Sequence, residues 1–71
     1  MNPDPLLPCP CCGLPAFTEP DSYEICAACG WEDDRVQAAD PDFAGGANDL
    51  SLVQSRDIWL ANPVPGRWRR R

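Results

Sequence analysis

The sequence predicts a small α+β domain, one β-hairpin followed by one C-terminal helix, held together by four cysteine side chains more than by an apolar core. Three observations predict it. The chain has 71 residues, five of them cysteine and none histidine. All five cysteines fall within residues 9–30, arranged as two Cys-x-x-Cys-Gly runs. Only one segment, about 52–61, carries a helix cap, a helical apolar stripe and a stop signal. A chain of this length buries only about 60% of the surface it exposes when unfolded, so its core alone is marginal. Such domains usually need a disulfide, a metal or a partner.

Residues 1–8 (MNPDPLLP) hold three prolines and no periodicity, and read as an extended lead-in. The domain proper is expected over 9–62. Between the cysteine runs, Leu14–Thr18 and Tyr23–Cys26 read as two short strands, joined by a turn at Glu19-Pro20-Asp21-Ser22. Residues 31–34 (WEDD) read as a third short strand or a turn, and 35–48 as a loop with a mobile stretch at Gly45-Gly46. Ser51-Leu52-Val53-Gln54 has the form of a capping box, and Asn62-Pro63 ends the helix. Leu52, Val53, Trp59 and Leu60 share one helical face, with Arg56 near its middle. Residues 63–71 read as a flexible basic tail.

The charge distribution disfavours nucleic-acid binding by the cysteine-rich half. Net charge is −5, but residues 1–34 carry seven acids and no base, whereas Arg67, Arg69, Arg70 and Arg71 crowd the C-terminus. An acidic cysteine-rich half repels phosphate backbones, because Lys and Arg supply most non-specific nucleic-acid affinity. No apolar run approaches the roughly 20 residues of a membrane helix. Met1–Pro5 lacks the basic and apolar regions of a secretory signal. An odd cysteine count without an export signal points to a metal in a reducing, cytoplasmic setting.

The cysteine runs read Cys9-Pro10-Cys11-Cys12-Gly13 and Cys26-Ala27-Ala28-Cys29-Gly30, with thirteen residues between Cys12 and Cys26. In such a knuckle a tight turn brings sulfurs i and i+3 to one side, and backbone N–H groups point at them. The glycine then supplies the positive φ that turns the chain back. Cys9, Cys12, Cys26 and Cys29 have this spacing and are the predicted ligands; Cys11 is left unligated. Four thiolates suit a single Zn²⁺ with Zn–S bonds near ~2.3 Å and close its tetrahedral sphere, which argues for a structural rather than a catalytic ion. The thiolates and the ion together take the net charge from −5 to −7. Iron in the same four sulfurs, as in a rubredoxin-like electron carrier, is the alternative.

Cys9-Pro10-Cys11-Cys12-Gly13, Glu19 to Cys26, Cys29 with Trp31-Glu32-Asp33-Asp34, Gly45-Gly46-Ala47-Asn48 and Ser51-Leu52 together resemble the bacterial cysteine-rich CPCC proteins. The similarity spans roughly residues 8–60. It implies a zinc-ribbon-like fold and a metal, and no enzymatic activity follows from it. The Asn–aromatic pair expected near the helix end is Ile58-Trp59 here.

Arg56 is expected to reach the Glu32-Asp33-Asp34 cluster and pin the helix to the ribbon by a salt bridge. Phe17, Tyr23, Trp31 and Trp59 are expected to form the core. The function expected is that of a structural-zinc module acting through protein contacts, with no catalysis and no membrane association. The alternative is a nucleic-acid-binding ribbon that uses Arg67, Trp68, Arg69, Arg70 and Arg71.

Overall fold

Two tight cysteine-bearing turns carry the architecture, and a computed structural model describes it for residues 6–66 and 68. Strand β1 (Leu7–Pro8) pairs antiparallel with β2 (Pro15–Phe17), with Leu7 opposite Phe17 and an irregularity between Leu7 and Pro8. The first knuckle is the turn between them. The second knuckle is bracketed in the same way by an antiparallel bridge between Ile25 and Glu32. A short helix α1 (Arg35–Ala39) follows, then a clamped loop, then α2 (Leu52–Ala61).

The hairpin thus differs from the sequence expectation. The lead-in supplies β1, and β2 pairs backwards with it instead of forwards with Tyr23–Cys26. The physical reason lies at Glu24. Its carboxylate accepts from the Thr18 N–H and hydroxyl, the Glu19 N–H and the Ser22 hydroxyl, at 2.7–3.3 Å. Asp21 and Tyr23 have φ of 54° and 59°, left-handed values that interrupt extended backbone. Residues 18–24 therefore wrap around a carboxylate and form no ladder.

Helix α1, absent from the sequence reading, starts because the Asp34 side chain caps it. Asp34 Oδ1 accepts from the Val36 and Gln37 N–H groups at 2.8 and 3.3 Å. Its Oδ2 accepts from Ala47 N–H at 2.8 Å. Gln37 is wholly buried and directs Nε2 at the carbonyls of Phe43, Asn48 and Leu50. Its Oε1 accepts from the Asn48 backbone and side-chain amides. Asn48 also pairs with Glu32 through both its Oδ1 and its Nδ2, as a further strand would. The segment read as a mobile loop is thereby pinned. Gly46 is part of the fit, since a Cβ there would stand 2.5 Å from Asp34 Oδ2.

Helix α2 has the expected bounds and capping box: Ser51 Oγ accepts from Gln54 N–H, and Gln54 Oε1 from Ser51 N–H. The buried stripe is not the expected one. Leu52 is buried, Ser55 and Trp59 are partly buried, and Val53 and Leu60 are exposed. The contact line runs i, i+3, i+7 from Leu52, with the small Ser55 in its middle.

Among the described residues the apolar core is six side chains: Cys9, Cys11, Phe17, Cys26, Trp31 and Leu52. Half of them are cysteines. Phe17 and Trp31 are core as predicted and Trp59 packs against the cluster, but Tyr23 lies exposed in its left-handed turn.

Two outcomes follow. Gln37→Ala should destabilise the protein by about 3 kcal/mol, because it strands several buried polar groups. Ser51→Ala should cost only about 1 kcal/mol. Urea unfolding of both variants checks the order. The Glu24 carboxyl is held down from 4.5 to about 2 by the Ser22 and then the Thr18 hydrogen bonds. A depressed folded value stabilises above the unfolded value and loses that effect as pH falls toward the folded one. The Tm gap between the natural protein and Glu24→Gln should therefore hold steady above pH 4.5 and narrow below it.

Candidate metal centre

Both knuckles use one hydrogen-bond scheme. In the first, Cys9 N–H donates to Leu14 O and Gly13 N–H to Cys9 O, at 2.9 and 2.7 Å. In the second, Cys26 N–H donates to Trp31 O and Gly30 N–H to Cys26 O, at 2.8 and 2.9 Å. Gly13 and Gly30 take φ of 80° and 86°, which other residues adopt only at a cost. In the first knuckle Cys11 N–H points at Cys9 Sγ, 3.4 Å away.

The two turns face each other. Cys9 Sγ lies 3.6 Å from Cys29 Sγ, and Cys12 Sγ lies 3.7 Å from Cys26 Sγ. All four sulfurs fall within 4.8 Å of one another. A tetrahedron of sulfurs at ~2.3 Å from a central ion has edges of about 3.8 Å. The donor set therefore fits a four-coordinate thiophilic cation. Cys9 and Cys26 are buried and Cys12 and Cys29 are half-buried, so the site sits at the edge of the core.

The thiols influence one another. Cys9 is pushed up, first by its contact with Cys29 and then by burial. Burial first, with contributions from Cys9 and Cys26, pushes Cys12 up to about 11. Cys29 is pushed up chiefly by the Cys11 thiol beside it. Without a cation these groups hold their protons at neutral pH, so metal binding releases protons and weakens as pH falls.

Donors from the C-terminal third bind the outer faces of the knuckles. Arg56 Nε donates to Pro10 O at 2.7 Å. Gly66 N–H donates to Ala28 O at 2.7 Å, and Trp68 Nε1 to Ala27 O at 3.2 Å. The expected salt bridge of Arg56 with Glu32, Asp33 or Asp34 is corrected here. Arg56 does cross to the ribbon, but to a backbone carbonyl. Asp34 is spent on α1 and Ala47, and Asp33 Oδ2 accepts from Ser22 N–H. Backbone donors reach these buried carboxylates more cheaply than an exposed guanidinium does. Of the expected C-terminal contact residues, Trp68 lies against the second knuckle, while Arg67, Arg69, Arg70 and Arg71 lie outside the described residues.

Sequence reasoning missed these knuckle-capping contacts. The one signal was Arg56, a charge set among apolar helix positions. Nothing in the local sequence points Trp68 at Ala27.

The profile of the family described as Cysteine-rich CPCC matches residues 7–62. The match covers most of the chain, and the chain belongs to that family. A search of curated proteins gave no match. Among the described residues, no helix is long and apolar enough to cross a membrane.

Serine at Cys9, Cys12, Cys26 or Cys29 should abolish stoichiometric metal binding, measured as metal per chain after purification. Cys11→Ser should keep the metal at one per chain, because its sulfur is outside the four-sulfur group.

Proposed function

We propose that this member of the cysteine-rich CPCC family is a non-catalytic module in which one Zn²⁺, held by Cys9, Cys12, Cys26 and Cys29, fixes a surface used for protein contacts in the cytoplasm. The four converging sulfurs carry this reading. Zinc suits them because thiolate ligands select thiophilic ions and a four-sulfur sphere suits its tetrahedral preference. Four protein ligands leave no position for water or substrate, which supports a structural role over a hydrolytic one. Zinc binding in small thiolate-rich modules is worth on the order of 10–16 kcal/mol, comparable with the whole net stability of a domain.

Leu7, Leu14 and Ile25, on the segments that flank the two knuckles, are exposed apolar side chains that support the contact role. The acidic balance favours a basic partner by steering its approach.

Native mass spectrometry of the protein isolated from its own cells should show the chain plus one zinc ion. Stripping that ion with a strong chelator should abolish the folded circular-dichroism signal. A red, iron-bearing protein would replace zinc with electron transfer. An unchanged melting curve after metal removal would overturn the structural role.

A further inference from the structure

Cys11 is the cysteine that the metal reading leaves unused. It is buried and lies outside the four-sulfur group. Its thiol nevertheless sits beside Cys29 and is the first cause of that group's reluctance to ionise. A cavity of about 320 Å³ adjoins the knuckles, and of the five cysteines it is Cys11 and Cys29 that line it. Cys9, Cys12 and Cys26 are not in its wall. Cys29 is also half-buried, where Cys9 and Cys26 are buried. One space large enough for a small molecule is therefore shared by a cysteine of the group and a cysteine outside it.

We propose that Cys11 and Cys29 form a reversible oxidation site: a small hydroperoxide converts the pair into a disulfide and takes Cys29 out of the metal-binding group. Thiolates are the nucleophilic form of cysteine, and Cys29 is a thiolate when the group is filled. Its sulfur attacks the O–O bond and becomes a sulfenic acid. The other oxygen leaves as alkoxide, or as hydroxide from hydrogen peroxide, and takes a proton from water. The Cys11 sulfur then attacks the Cys29 sulfur. The S–O bond breaks, an S–S bond forms, and the oxygen leaves as water with the thiol proton of Cys11. In all, two electrons pass from the two sulfurs to the peroxide. Cys9 Sγ is also near, 3.6 Å from Cys29 Sγ. A metal-binding Cys9 has already given up its proton, however, whereas Cys11 is outside the group. With Cys29 in a disulfide, three thiolates remain for a cation that needs four, so its hold weakens. Hydroperoxides are neutral, so their approach does not turn on the charge of the arginine-rich C-terminus. The loss of metal rests on the reading above; the pairing of the two sulfurs does not.

The test treats the full metal-bearing chain with hydrogen peroxide in slight excess, blocks free thiols and maps disulfides by mass spectrometry. A chromogenic chelator reads released metal in the same samples. A Cys11–Cys29 bridge should form, with metal released in step with it. Adding a thiol reductant and fresh cation should restore both thiols and the bound ion. Cys11→Ser should leave Cys29 without its resolving thiol and let it proceed to sulfinic acid, so metal recovery after reduction should fall severalfold. A metal-bearing chain overturns the oxidation site, and leaves the metal reading standing, if it resists peroxide, if it bridges Cys9 to Cys29 instead, or if its Cys11→Ser variant recovers as fully. A chain that purifies without metal and still bridges Cys11 to Cys29 keeps the pairing and overturns the metal reading instead.

Discussion

Four thiols forced into one small volume are the constraint on which the rest of this structure depends. Unfilled, the arrangement is unfavourable. Each sulfur excludes water from its neighbours; Cys9 and Cys29 resist ionisation chiefly because another thiol sits beside them, and Cys12 chiefly because it is buried. Among the described residues, the apolar core beyond the cysteines is Phe17, Trp31 and Leu52. Three such side chains contribute a few kcal/mol each at most, against the entropy of ordering the chain. A thiophilic cation bound there would replace crowded thiols with four directed metal–sulfur bonds.

Around that centre, side-chain-to-backbone hydrogen bonds do what strands and core do in larger domains. Glu24 gathers residues 18–22, Asp34 and Gln37 gather 43–50, and Asn48 extends the pairing at Glu32. This changes the meaning of the acidic composition. Glu24, Asp33 and Asp34 contribute to the net charge, yet each accepts from backbone N–H groups. Part of the negative charge of the cysteine-rich half is therefore internal architecture, and correspondingly less of it is free to face a partner.

The knuckles and α2 were legible because their signals are local. A Cys-x-x-Cys-Gly turn needs only five residues, and a capping box only four. The strand pairing was not legible, since a strand of two or three residues has no measurable periodicity. What decides it is a long-range matter, whether Glu24 or a ladder satisfies the amides of residues 18 and 19. Helix α1 was hidden for a related reason. Asp34 was read as one of three acids facing Arg56, and its place as a cap is fixed by Ala47 and Gly46, thirteen and twelve residues further on. The same holds at the centre. The four cysteines could be chosen from spacing, but Arg56 at Pro10 and Trp68 at Ala27 depend on tertiary approach.

Those last contacts bear on how the centre is held. Ala27 and Ala28 are the two residues between Cys26 and Cys29, and their carbonyls are held by Trp68 and Gly66. The turn that positions two of the four sulfurs is therefore braced by residues about forty positions further along the chain. In a domain with so little core, loosening that brace loosens the geometry of the four-sulfur group as well.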